Sequence, residues 1–320
     1  MMDFTDIANE GFLLYGIGIL TIIYVTIRIA LGLYYLCTAY FIDSFLDLTA
    51  FGKWAVVTGS TDGIGKAFAV ELAKLGLNII LISRNPEKLN QVSKEIKEHY
   101  KIETMTIAYD FTNFDSTIDE PSPYGVISSV VRDLDVGILV NNVGMPSPKT
   151  AAFLDAFNDG ESLALSTTNL IHCNASSRVK MMEIILPGMV NRGRGLIINV
   201  SSLASSFTCP MLCAYGASKR FDDTLSRALE REYRKHGIVI QSIQPGIVRT
   251  NMTRHVVKKS SMAIPTPERY ANCMIKTIGK STVTTGYWAH ELIRLFYASL
   301  PDLLVPWIIK WRLRRLNQAN

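Results

Sequence analysis

The sequence predicts an α/β domain on a parallel sheet with an apolar N-terminal appendage, and three observations carry that expectation. A chain of 320 residues suits one large α/β domain plus an appendage better than two independent domains. Residues 53–76 run from an apolar strand through a glycine turn into an amphipathic helix. Short apolar runs then alternate with polar helical patterns, as parallel strands joined by crossover helices do.

Composition narrows the class further. Hydrophobic residues make up 48% and charged residues 19%, which argues against disorder and permits membrane contact. The net charge of +5 is modest, and its basic residues form no stripe interleaved with aromatics, so no nucleic-acid partner is expected. Five cysteines, at 37, 173, 209, 213 and 273, form no CxxC pair and join no histidine cluster. They read as thiols in a reducing compartment, and no metal site is expected.

Residues 11–42 hold a single charge, Arg28. That is enough for one bilayer span, which takes about 20 apolar residues. A cleaved signal peptide would show a basic leader, a shorter apolar core and a small-residue cleavage site. Here Asp3, Asp6 and Glu10 lead and no such site follows, so residues 1–47 are expected to be a retained anchor. Acids before the run, with Arg28 and Lys53 towards its end and beyond it, place the folded domain on the cytosolic side.

Residues 48–288 read as that domain. Gly59, Gly63 and Gly65 follow an apolar strand and open a helix, a context in which glycines let the backbone approach a pyrophosphate. The second strand, 78–84, ends in Ser83 and Arg84. An acid there would bind a ribose 2′-hydroxyl; Arg84 instead offers a charge-assisted contact to a 2′-phosphate, favouring NADP(H) over NAD(H). A polar helix over 86–100, a third strand over 105–109 ending at Asp110, and a surface loop over 120–124 come next. An apolar strand then ends in Asn141, Asn142 and Gly144. A long helix spans 163–191 with Asn174, a poor helix former, in its middle. Beyond residue 220 the sequence predicts a helix to 235, a strand over 238–244, a Pro-Gly turn, a loop over 251–263, a helix over 267–278 and a last strand over 283–288. Residues 289–320 mix large apolar residues, two tryptophans and a basic finish, as a membrane-interface or packing segment does.

The chemistry concentrates between the fifth apolar run and the helix after it. Ser202 leaves the strand, and Tyr215 and Lys219 lie four apart, on one face of a helix. A cation beside a phenol favours its ionised form, so Lys219 is expected to lower the Tyr215 pKa from about 10. Ser202 is placed to hydrogen-bond the same substrate oxygen. Tyr215 then exchanges a proton near neutral pH.

TGSTDGIG, NNVG, Asn174, Ser202, Tyr215 with Lys219, and PGIVRT stand in the order and spacing of the short-chain dehydrogenase/reductase family, which residues 51–286 resemble. Val143 stands where the family usually has alanine. The SRNPEKL turn, ILPGM and the apolar lead resemble the branch of microsomal very-long-chain 3-oxoacyl-CoA reductases and 17β-hydroxysteroid dehydrogenases. The resemblance implies a doubly wound, Rossmann-type sheet of about seven parallel strands. It implies a catalytic set of Ser202, Tyr215, Lys219 and Asn174, the last holding a water that links Lys219 to solvent. Cofactor contacts are implied at Gly59, Ser60, Gly63, Ile64 and Gly65, at Asp110, Asn142 and Gly144, at Tyr215 and Lys219, and at Pro245, Gly246, Val248 and Thr250. Three functions remain open: NADPH-dependent reduction of a 3-oxoacyl-CoA in fatty-acid elongation, keto-steroid reduction, and a silent NADPH-binding scaffold. The endoplasmic reticulum membrane is the location the branch implies, and a homodimer is compatible with it.

Overall fold

The computed structural model describes residues 4–42, 46–113, 122–157, 163–254 and 257–318. Among them, seven parallel strands form one sheet in the order β3-β2-β1-β4-β5-β6-β7. The strands are β1 (Trp54–Thr58), β2 (Asn78–Ser83), β3 (Thr104–Ala108), β4 (Val136–Asn141), β5 (Gly195–Val200), β6 (Ile238–Ile243) and β7 (Val283–Thr284). Their valines, isoleucines and leucines are buried on both faces, as a parallel sheet covered by helices requires.

The helices are α1 (Phe4–Tyr40), α2 (Gly63–Lys74), α3 (Pro86–Tyr100), α4 (Pro123–Val131), α5 (Leu163–Ile171), α6 (Ser177–Arg192), α7 (Cys213–Tyr233), α8 (Pro267–Ile275), α9 (Trp288–Ala298) and α10 (Leu304–Gln318). Three begin with a polar cap and a proline: Asn85, Ser122 and Thr266 each accept a backbone N–H two residues into the helix. One core layer packs Phe68, Leu72, Leu89, Val92 and Met274 of α2, α3 and α8 against the sheet. The opposite layer uses Ile127, Met181, Ile185 and Met189 of α4 and α6.

Several boundaries differ from the sequence expectation. Tyr124, expected in a loop, lies buried in the first turn of α4, edge-on to Tyr109 and Phe111; Glu120 and Pro121 lie outside the described residues. The last strand stops at Thr284, and Trp288 starts α9. Ala289, His290 and Glu291 are buried, so the packed domain continues through α9.

Strand order reverses between β1 and β4, so the helices after them diverge and leave a crevice at the carboxyl ends of the strands. Helix α1 stands out from this body. Residues 14–40 have a mean hydropathy of 2.0 and are almost wholly exposed, so this helix is long and apolar enough to cross a membrane. Its last turn is seated on the domain. Lys280 Nζ donates to the carbonyls of Thr38, Ala39 and Ile42 at 3.2, 3.0 and 2.7 Å, satisfying acceptors that a helix end leaves open. The Tyr40 hydroxyl meets Thr284 and Thr285 at 3.0 and 2.9 Å.

Candidate active site

The crevice is a cleft of about 480 Å³, within the usual range for ligand pockets of roughly 300–1,000 Å³. Its floor is the turn after β1. Gly59 and Gly63 have φ of +64° and +56°, which glycine adopts without strain. Asp62 makes no side-chain cap bond to α2, which leaves the first N–H groups of that helix for an anionic ligand. Its carboxylate instead accepts from Asn251 Nδ2 at 2.6 Å, tying the loop after β6 across the cleft.

Most of the expected cofactor contacts border this cleft: Gly59, Gly63, Ile64, Arg84, Asp110, Asn142, Gly144, Tyr215, Lys219, Pro245, Gly246, Val248 and Thr250. Ser60 and Gly65 do not. Ser60 is fully buried and turns its hydroxyl to the Ile82 carbonyl at 3.4 Å. Gly65 lies under the glycine turn, where a Cβ would stand 2.3 Å from the Gly59 carbonyl oxygen. Its role is close packing of helix on strand. Thr61, which the sequence reading passed over, lies on the cleft with its hydroxyl 3.0 Å from that of Ser83.

Asn142 holds the two halves of the cleft together. Its Nδ2 donates to the Thr58 and Gly59 carbonyls at 3.0 and 3.1 Å, and its backbone N–H to Thr58 Oγ1 at 3.0 Å. Gly144 gives room beside the reactive groups, because a Cβ there would come within 3.4 Å of Lys219 Nζ. Together the left-handed glycines, the uncapped helix start and the bare Gly144 fit a dinucleotide lying from Arg84 to Lys219.

At the reactive end, Ser202 leaves β5 with extended backbone and accepts from Ala204 N–H at 3.2 Å. Ser202 and Tyr215 both border the cleft. Tyr215 lies in the first turn of α7, and Ser201 Oγ fixes that helix by donating to the Lys219 carbonyl at 2.7 Å. Lys219 Nζ donates to the Val200 carbonyl at 3.0 Å and lies 6.0 Å from the centre of the Tyr215 ring. Burial pushes the Tyr215 pKa up; the Ser202 hydroxyl opposes this first, and the Arg178 charge second. Arg178 is thus a cation acting on Tyr215 besides Lys219, the one to which the sequence pointed. Burial and the Arg178 charge lower Lys219 to about 8, against the opposing pull of Asp222.

Asn174 is fully buried behind these residues, in a π-turn over His172–Ser176 that separates α5 from α6. The long helix expected there runs on through this π-turn, which falls at the expected asparagine. Its Oδ1 accepts from Met145 N–H at 2.8 Å, and its Nδ2 donates to the Met145 carbonyl and Ser218 Oγ at 3.0 and 3.1 Å. The Asn174 carbonyl accepts from Arg178. The asparagine locks the segment after β4 to α7, and Arg178 takes one lone pair of the backbone carbonyl on which the resemblance implies a water.

Met145, Pro146 and Met252 supply apolar surface to the cleft, which Met211, Leu212 and Cys213, close before Tyr215 in the chain, do not border. Sequence reading also missed Arg178, Asp222 and His290. His290 Nδ1 accepts the Gly246 N–H at 3.1 Å beneath the Pro-Gly turn, and burial lowers its pKa to about 4. Among the described residues, no cluster of His, Cys, Asp or Glu could hold a metal ion.

The family model for short chain dehydrogenases matches residues 53–261. The very-long-chain 3-oxoacyl-CoA reductase of Macaca fascicularis is 40% identical over 97% of this chain and 94% of its own; the Homo sapiens protein of that name is 39% identical with the same coverage. The Homo sapiens inactive hydroxysteroid dehydrogenase-like protein 1 is 41% identical over 84% of this chain and 77% of its own. Among solved structures, a short-chain dehydrogenase from Sphingobium yanoikuyae in complex with NADPH has a TM-score of 0.63 at 21% identity, covering 72% of this chain and 86% of its own. A 7beta-hydroxysteroid dehydrogenase has a TM-score of 0.71 at 22% identity, covering 82% of this chain and 99% of its own, a likeness of fold. A match over nearly two-thirds of the sequence, with relatives aligned almost end to end, leaves one conclusion: the chain belongs to the short chain dehydrogenase family.

Proposed function

We propose that this chain is an NADPH-dependent 3-oxoacyl-CoA reductase of fatty-acid elongation, held in the endoplasmic reticulum membrane with its domain in the cytosol. The reaction belongs to a nicotinamide cofactor, which supplies the hydride when bound. The chain's own residues do the rest. Tyr215 gives its phenolic proton to the ketone oxygen, Ser202 polarises that oxygen, and Lys219 carries charge and proton at the cleft face. Arg84, at the end of β2 with no acid beside it on that strand, would pair with the 2′-phosphate that distinguishes NADPH.

The observation that carries the reading is the meeting of Ser202, Tyr215 and Lys219 on one open cleft, in a chain about 40% identical to reductases of that name. The same observation weighs against a silent scaffold. Identity to the inactive relative is as high, so the reactive groups have to decide, and Ser202, Tyr215, Lys219 and Asn174 are all present. Exposed Leu165, Ile171, Val179 and Phe221 line one side of the domain along α5, α6 and α7, and a second copy of the chain is the proposed cover.

A turnover panel tests the reading: long 3-oxoacyl-CoAs against keto-steroids, each with NADPH and NADH. The acyl-CoAs with NADPH are expected to be the efficient pair. Arg84→Ala should raise the KM for NADPH about ten- to a hundredfold, the worth of a charge-assisted contact, and leave NADH unchanged. Equal losses with both cofactors would remove Arg84 from that role.

A further inference from the structure

Arg178 is one of the largest fully buried side chains, 1% exposed, one turn beyond Asn174. Its guanidinium donates to the carbonyls of Asn174, Val143, Val200 and Cys173, those of Val143 and Val200 at 3.0 and 3.1 Å. Its Nε lies 3.0 Å from Asp222 Oδ2, and Lys219 Nζ lies 3.5 Å from the same oxygen. Asp222 is wholly buried on α7, so one carboxylate sits between two cations away from water.

Stability alone does not account for this triad. Burying charges costs several kcal/mol per ion, and well-packed apolar side chains in place of such a group are often neutral or stabilising. The partners instead point to the reactive groups. Val200 is the carbonyl shared by Arg178 and Lys219, and it immediately precedes the Ser201–Ser202 corner. Arginine stays charged at every working pH, so it fixes a positive charge behind Tyr215 while Lys219 remains free to titrate.

We propose that Arg178 and Asp222 are positioning residues for the reductase step, a fixed charge pair that holds Lys219 between the Val200 carbonyl and the cleft. Lys219 then exchanges its proton on the cleft side, where the cofactor and solvent reach it. The proposal rests on the reductase reading for its purpose. The charged and titratable groups around Lys219 are Tyr215 and Asp222 of α7, Arg178 of α6 and Cys173 of the π-turn; Asp223 acts in turn on Asp222, and Asp110 and Arg84, at the ends of β3 and β2, on Cys173. Of these, Arg178 and Asp222 act on Lys219 in opposite directions, and that opposition makes the pair testable.

The experiment uses the full chain in detergent, without substrate, carrying ¹³C-labelled lysine, with the Lys219 resonance assigned by Lys219→Arg. The wild-type midpoint is expected at about 8. Arg178→Met should raise it, and the isosteric Asp222→Asn should lower it, each by about one pH unit or more. Shifts in the same direction, or no shift in Asp222→Asn, would overturn the proposal, and the second variant decides alone if the first does not fold. Arg178→Met with Asp222→Leu removes the fixed pair together and leaves Lys219 its bond to the Val200 carbonyl. Its kcat should fall about tenfold or more while the KM for acyl-CoA holds; wild-type kcat in that double variant would reduce the pair to packing. Absence of turnover in the wild type would sink the reductase reading, while the titration would still decide the role of the pair.

Discussion

Tyr215 and His290 show how burial is turned to different ends at single residues. Tyr215 is half-buried at the reactive end of the cleft, and its proton stays on the phenol unless Ser202 and a nearby cation favour its departure. Tyr215→Phe keeps the ring and removes only the donor. Turnover should drop by about 10²–10⁴-fold, the usual worth of general acid catalysis, with cofactor binding by fluorescence unchanged; a variant with most of its activity would reject the assigned donor. His290 is held neutral so that Nδ1 can accept from Gly246. In the unfolded chain it would take a proton below about 6.5, whereas in the fold burial delays this to about 4. The unfolded state therefore binds more protons between those values, and stability falls as pH drops through that window. The full contribution is present above about 6.5, and each pH unit lost costs about 1.4 kcal/mol. Denaturant unfolding at pH 6.5 and 5 should differ by about 2 kcal/mol more in the wild type than in His290→Gln. Parallel curves would mean that His290 does not carry this dependence.

The unit of β1, its glycine turn and α2 was readable from the sequence because its signal is local. An apolar run, three glycines and an amphipathic helix need no distant partner to be recognised. The roles of the glycines were not readable to the same depth. Gly63 serves the left-handed turn, whereas Gly65 serves contact with Gly59 and Asn142, and only the folded packing distinguishes them. Gly65→Ala should cost about 1–3 kcal/mol or more, since the Cβ meets backbone that has little room to give. Gly188→Ala, whose Cβ meets only the flexible end of Arg192, should be neutral or slightly stabilising. Similar losses at both positions in thermal unfolding would contradict the packing argument. The π-turn in the long helix shows the same limit. Asn174 marked it in the sequence, but the partners that explain it, Met145 and Ser218, come from other segments. Arg178 and Asp222 did leave a trace, as opposite charges one turn beyond Asn174 and Lys219. Nothing local in the sequence says that they meet.

Taken whole, the molecule places a reductase cleft against a helix suited to a bilayer. Lys280 and Tyr40 fix the last turn of α1 to the sheet edge near β7. The tail reaches the catalytic segment from the other direction. Phe207, five residues after Ser202, stacks on Tyr297 of α9 at 5.2 Å between ring centres, and Arg312 of α10 donates to the Tyr297 hydroxyl at 2.9 Å. Trp307 and Trp311 remain exposed on α10, as side chains at a membrane interface do. A substrate that partitions into lipid suits this arrangement, and a long acyl chain gains about 0.8 kcal/mol for each methylene it buries. Lys258 and Lys259, both exposed, are available to the phosphates of a CoA head group. The most direct test is kcat/KM of the purified full chain with NADPH across 3-oxoacyl-CoAs of increasing length, alongside estrone and androstenedione. The account predicts efficiency that rises with chain length and weakens for acyl-CoAs alone when Lys258 and Lys259 are both changed to Met. Turnover of the steroids only, or efficiency indifferent to chain length, would contradict it.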